Sequence, residues 1–210
     1  MKGNCPSCGA PIRFQSSIDL TAVCPFCRSL LIRKDMDIRS LGRSAQLLKD
    51  DSLLQLGVTG NFRGTSFAVI GRLQMKYDGG HWSEWLISFS DGRRGWLGEA
   101  MGSTMVTFET PLDGSVPGSS NFEPGQSVQL NGKPFVVKNI DEAAPYALEG
   151  EIPREVRLGE ETTLVDLSGN GRAFATLDFG DTPPTLYLGE YVDAGDLNLR
   201  GLKLTDGPLS

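Results

Sequence analysis

Histidine occurs once in the 210 residues, as His81, and cysteine only four times. His81 follows Gly79 and Gly80 in a predicted turn, and a lone imidazole without a partner is a poor general base. There is no Gly-x-Ser-x-Gly elbow, so the sequence gives no support to a hydrolase of that type. No Walker phosphate loop occurs. Gly169-Asn170-Gly171 lacks the third glycine of a dinucleotide fingerprint, and no parallel βαβ pattern surrounds it. No apolar run approaches the roughly 18 residues that a membrane helix needs. The segment Met1–Asn4 runs straight into the first cysteine with no apolar h-region. These absences predict a soluble, cytoplasmic protein with no membrane span and no familiar catalytic motif.

The four cysteines form two knuckles, Cys5-Pro6-Ser7-Cys8 and Cys24-Pro25-Phe26-Cys27. Two Cys-x-x-Cys pairs about fifteen residues apart have the spacing of a four-thiolate zinc site. Four thiolates fill a tetrahedral shell and leave no position for water, so such a site is structural. Disulfides would require an oxidising compartment. A redox motif usually has a single Cys-x-x-Cys near a βαβ unit. An iron–sulfur cluster also takes four thiolates, but both knuckles sit on the turn-forming residues typical of ribbons. The expected cofactor is therefore one structural Zn2+ held by Cys5, Cys8, Cys24 and Cys27, and with it consumed no cysteine remains as a nucleophile.

Charge is unevenly distributed. Residues 1–49 hold eight Lys/Arg against three Asp, whereas the remainder holds twelve basic and twenty-three acidic residues. An acidic body is a poor surface for wrapping nucleic acid. The basic arm offers Arg13, Arg28, Arg33 and Lys34 as candidate nucleic-acid contacts in an alternative function.

Organisation follows hydrophobic period. Residues 1–33 predict a zinc ribbon, with Ile12 and Phe14 alternating with Arg13 and Gln15, and Leu30–Ile32 starting the strand after the second knuckle. Residues 34–55 predict a connector with a short helix, from the spacing of Leu41, Ala45 and Leu48. Residues 56–116 and 117–210 then predict two packed antiparallel β sub-domains of SH3-like or small-barrel type. Strands are expected over Thr65–Tyr77, Trp82–Phe89, Met105–Glu109, Phe135–Ile140, Tyr146–Ile152, Thr162–Leu167 and Arg172–Asp178, with hairpin signals at Asp78-Gly79-Gly80, Asp91-Gly92, Asn131-Gly132 and Asn170-Gly171. The halves share a weak repeat: Leu56-Gly57, Phe62, Gly64, Phe67 and Val69 are echoed by Pro124-Gly125, Leu130, Gly132, Phe135 and Val137.

Several pieces together resemble a known family. They are Ser52–Gly57 with Gly60, Phe62 and Gly64; Phe67–Gln74; Trp82-Ser83-Glu84-Trp85; Gly95–Ala100; Glu149–Pro153; and Ala173–Phe179. The chain resembles the bacterial domain-of-unknown-function family 4178, whose members often follow a zinc ribbon. The resemblance implies no established activity and carries over no catalytic residues. Family members are often encoded beside polyamine-biosynthesis enzymes and membrane-stress proteins, which implies an accessory role.

The residues point to a candidate ligand surface made of Tyr77, Trp82, Glu84, Trp96 and Glu99. Alternation puts Trp82, Glu84 and Leu86 on one strand face and Trp85, Ile87 and Phe89 on the other. Trp85 then belongs to the core. Aromatic rings beside a carboxylate suit a cation such as a polyamine, a basic peptide or an arginine. The competing possibility is that Trp82 only covers a hydrophobic layer between the halves. The expected function is a non-enzymatic accessory or adaptor protein that binds a partner protein or cationic ligand. An enzyme using a carboxylate pair, Glu84 with Asp91 or Glu99, is the third alternative.

Overall fold

The computed structural model describes residues 2–14, 20–34, 37–100 and 102–204. The N-terminal module contains β1 (Lys2–Asn4), β2 (Pro11–Arg13), β3 (Thr21–Val23), β4 (Ser29–Lys34) and β5 (Asp37–Arg43). The first half of the body contains β6 (Thr59–Phe62), β7 (Thr65–Tyr77), β8 (Gly80–Phe89), β9 (Arg94–Ala100) and β10 (Ser103–Thr110). The second contains β11 (Ser127–Leu130), β12 (Lys133–Ile152), β13 (Thr162–Gly169), β14 (Ala173–Asp178) and β15 (Thr185–Val192). All pairings between these strands are antiparallel.

The two expected segments Phe135–Ile140 and Tyr146–Ile152 are one 20-residue strand, β12. Its first part pairs with β13 from Phe135 to Ala143, and its second with β7 from Ala144 to Gly150. Pro145 lies at this hand-over, beside a register shift, where a missing N–H costs least. Because β10 pairs with β15 as well, the ladders run in a closed circuit of eight strands: β7, β8, β9, β10, β15, β14, β13, β12 and back to β7. The strands of each half therefore run on into those of the other.

The repeat seen in the sequence has a backbone counterpart. Gly57 N–H donates to Val69 O at 2.9 Å, and Gly125 N–H to Val137 O at 2.9 Å. The β7–β8 ladder shifts register between Val69 and Gly71, and the β12–β13 ladder between Val137 and Asn139. Arg63-Gly64 and Asn131-Gly132 both turn with positive φ, as two-residue hairpins require.

Strand alternation sorts the apolar residues into separate cores. Phe67, Val69, Trp85, Ile87, Phe89 and Leu97 pack in the first half, and Leu130, Phe135, Val137, Val165, Leu167 and Leu177 in the second. Trp85 is fully buried. A further cluster, with Leu73, Met75, Leu86, Trp96, Leu164 and Tyr187, joins the halves and takes in Leu30 from β4.

The helix expected between residues 34 and 55 is not formed. Residues Asp37–Arg43 make β5, which covers the edge of β4, and residues 44–50 carry no regular structure. A short isolated helix is marginal, Gly42 sits at φ 108°, and Leu41 is exposed, so the apolar spacing had no core to face. Pairing with β4 satisfies backbone groups that the helix would have left to itself.

Both seams between the halves need a residue without a side chain. A Cβ on Gly71 would stand 1.9 Å from Glu151 O, and one on Gly189 1.9 Å from Val106 O. In each case the obstacle is backbone. Gly71→Ala and Gly189→Ala are expected to lower unfolding free energy by about 3 kcal/mol each, measured by urea titration. A loss below roughly 0.5 kcal/mol would mean that the seams are not closed as described.

Candidate functional site

The inside of the strand circuit is not filled. A cavity of about 530 Å³ lies there, lined from all eight strands. Strand β7 contributes Met75 and Tyr77, β8 His81, Trp82 and Glu84, and β9 Trp96, Gly98 and Glu99. Strands β10 and β15 add Met105, Thr107 and Tyr187. Across from them stand Phe174, Thr176 and Asp178 of β14, Leu164 and Asp166 of β13, and Asn139 and Asp141 of β12. Arg154, just beyond β12, completes one end. All five residues of the expected ligand surface, Tyr77, Trp82, Glu84, Trp96 and Glu99, line this cavity.

Trp82 both packs against the central cluster and lines the cavity, so the two expectations for it are not exclusive. Its ring lies 5.5 Å from that of Tyr77, and its Nε1 donates to Glu84 Oε1 at 3.2 Å. His81 Nε2 sits 3.3 Å from Lys49 O.

Charge inside the cavity is predominantly negative. Asp178 is well satisfied: it accepts from Arg154 Nη1 at 2.9 Å, Thr162 Oγ1 at 3.1 Å and Gly180 N–H at 2.9 Å. Among the described residues Glu84 accepts one hydrogen bond, from Trp82 Nε1, and Asp166 one, from Thr176 Oγ1 at 2.6 Å. Desolvation raises the pKa of Glu84, against the Trp82 hydrogen bond and Arg154. Desolvation likewise pushes Asp166 up to about 6, opposed by Thr176 and helped by Asp141. Burial also raises the pKa of Tyr187, keeping its phenol protonated at neutral pH. Burial opposes the charge on Arg154, but Tyr187, Asp178 and Glu84 outweigh it.

The four cysteines converge at the far end of the N-terminal module, with all Sγ atoms within 4.8 Å of one another. Cys5 and Cys27 Sγ are 3.7 Å apart, and Cys8 and Cys24 Sγ 3.8 Å. Sulfurs of a tetrahedral site with bonds of about 2.3 Å stand about 3.8 Å apart, so the donor set fits a metal ion. The Ser29 hydroxyl and N–H stabilise the Cys27 thiolate, lowering its pKa to about 6. Among the described residues no other group of three or more His, Cys, Asp or Glu converges in this way. The cavity carboxylates are thus too dispersed for a metal ion.

The sequence comparison decides the family. The chain belongs to the family described as Domain of unknown function (DUF4178), whose profile matches residues 55–194. In this DUF4178 chain the matched segment covers β6 to β15, hence the whole strand circuit, and leaves the four-cysteine module outside. No curated protein and no solved structure matches the chain. Among the described residues no helix is long and apolar enough to cross a membrane.

Some expected site residues are placed elsewhere. Asp91 lies at the β8–β9 turn, ion-paired to Arg93 at 2.8 Å, and does not meet Glu84, whereas Glu99 shares the cavity with it. Of the basic set, Arg33 is buried, with its guanidinium 5.4 Å from the Phe14 ring centroid. Arg28 is turned to Ala45 O at 3.1 Å, while Arg13 and Lys34 are exposed. Three of the four are thus exposed, and Arg33 is withdrawn into the module. Sequence reasoning missed Asp141, Arg154, Asp166, Asp178 and Tyr187. Their signal was the alternation of Leu164 and Asp166 with the buried Val165 and Leu167, which is equally the pattern of a solvated strand face.

The Asp166 shift has a definite sign. Its folded pKa of about 6 exceeds the unfolded 3.8, so the stability tied to the neutral acid is present below pH 4 and is lost as pH rises through 6. In ligand-free buffer, Asp166→Asn should gain on the order of 2 kcal/mol over wild type between pH 5 and 7.5, by paired urea titrations. A pH-independent difference would show that Asp166 titrates normally.

Proposed function

We propose that this protein is a non-enzymatic, cytoplasmic binding protein that takes an organic cation into the cavity of its β body, with a structural zinc at the four cysteines. The closed circuit of ladders is read as a small barrel, and the cavity as its interior. The observation that carries the proposal is a cavity of about 530 Å³, lined also by Trp82 and Trp96, in which Glu84 and Asp166 each accept a single hydrogen bond among the described residues. Buried carboxylates are costly unless paired, and an ammonium or guanidinium supplies both the missing charge and the missing donors. Aromatic faces add attraction for the same cation. Dispersed carboxylates favour an extended organic cation over a metal ion. A polyamine, an arginine or a basic peptide of a partner protein has this chemistry, which joins the binding role to an accessory one.

Catalysis finds less support. Glu84 and Glu99 share the cavity, but Glu99 is occupied by the Ser52 hydroxyl, and His81 is engaged near Lys49 O. Zinc is the metal chosen because two Cys-x-x-Cys knuckles at this spacing and sulfurs about 3.8 Å apart suit its tetrahedral four-thiolate shell.

Isothermal titration with spermidine and with argininamide tests the proposal. At least one should bind, and Glu84→Gln and Trp82→Ala should each weaken it about tenfold, a loss of one charged contact or one aromatic face. Asp91→Asn should leave affinity unchanged. Absence of binding at millimolar concentration, or chemical turnover of the bound compound, would overturn it. Elemental analysis should find one zinc per chain, and none after Cys24→Ser.

A further inference from the structure

The four-cysteine module and the cavity are physically connected. Strand β3, which ends immediately before Cys24, pairs with the end of β12 through Ala22–Glu151 and Thr21–Ile152. Leu20 N–H donates to Ile152 O at 3.1 Å, and the fully buried Thr21 donates its Oγ1 proton to Arg154 O at 2.7 Å. Arg154 in turn holds Asp178 inside the cavity at 2.9 Å. Among the described residues its Nε has no hydrogen-bond partner; its Nη1 is held by Asp178 and its backbone carbonyl by Thr21. After the second knuckle, Leu30 packs in the cluster that contains Met75, Trp96, Leu164 and Tyr187, all cavity-lining.

The same arm also reaches the opposite rim. From the end of β5, Ser44 exchanges hydrogen bonds with Leu148 N–H and O. Residues 48–52 then cross β7 to β9. Leu48 bonds the Gln74 side chain through both backbone groups, Asp50 pairs with Arg72, and Ser52 donates to Glu99. Thus one continuous segment, anchored on the metal knuckles, touches both Arg154 and Glu99.

We propose that the metal state of the four cysteines controls the cavity: with metal bound, the arm holds its Arg154 end and its rim closed, and metal and cation strengthen each other's binding. The cation half of this statement rests on the function proposed above. Small four-thiolate modules fold only with their metal, so stripping it releases β3 from β12 and opens the end at Arg154. Two effects then compete. Freeing Asp178 from Arg154 adds one carboxylate, while water entry weakens every carboxylate–cation contact. A carboxylate–cation pair is worth several times more at the effective dielectric of a protein than in water. Loss of shelter therefore wins, and affinity falls. Linkage requires the reciprocal effect on metal affinity.

The full chain is compared zinc-loaded and chelator-stripped, by spermidine titration and by amide hydrogen exchange, with zinc affinity measured by chelator competition. Stripping is expected to lower spermidine affinity about tenfold, within the usual range of coupling between sites, and spermidine to raise zinc affinity by the same factor. Exchange should accelerate beyond the module, at residues 152–156 and in β13 and β14. Thr21→Val should keep its zinc but lose most of the linkage. Exchange changes confined to residues 2–43, with equal spermidine affinity in both states, would overturn the proposal. If exchange spreads into β13 and β14 but spermidine binds neither form, the mechanical link stands and the cation assignment falls. Full linkage in Thr21→Val would rule out the route through Arg154.

Discussion

One backbone constraint governs this molecule: β12 must serve two neighbours in succession, β13 with its first half and β7 with its second. That hand-over, matched by the β10–β15 ladder, joins four strands from each half into a single circuit. In an open sheet the inner faces of these strands would meet water. Here they meet one another, and their polar residues come under the electrostatic rules of an interior. The seams allow this because Gly71 and Gly189 let neighbouring backbones approach closely.

The consequences for charge are direct. A carboxylate on an open strand face is ordinary, and its hydration costs nothing to keep. The same carboxylate inside the circuit loses that hydration. Asp178 recovers it through three protein donors, including Arg154. Glu84 and Asp166 do not, and desolvation raises both their pKa values. The proposed binding function accounts for such groups, because a bound organic cation would complete them beside the aromatic lining.

Much of the fold was legible in the sequence. Spacing marked the four cysteines that converge, and period-two alternation separated Trp85, Ile87 and Phe89 from Trp82 and Glu84 correctly. Turn residues marked the hairpins, and the Gly57/Gly125 echo was a true repetition of backbone bonding. Closure was not legible, because it depends on pairings between residues 71 and 150 or 106 and 190 that leave no local pattern. For the same reason nothing in the sequence set Asp166 and Asp178 apart from the other carboxylates. The connector helix is absent because residues Asp37–Arg43 pair with the edge of β4 instead, leaving Leu41 exposed.

The N-terminal module is tied to the same interior by hydrogen bonds from Thr21 to Arg154 O, from Arg154 to Asp178, and from Ser52 to Glu99. On the reading proposed above, a metal at its four cysteines would act on the interior through these contacts without chemistry of its own. The most direct test of the central claim is the carboxyl-carbon NMR titration of Asp166, with and without saturating spermidine. In the free protein it should titrate near pH 6, and with the cation bound its pKa should drop to or below the ordinary 3.8. A free-protein pKa already near the ordinary value, or one unmoved by the cation, would contradict the account.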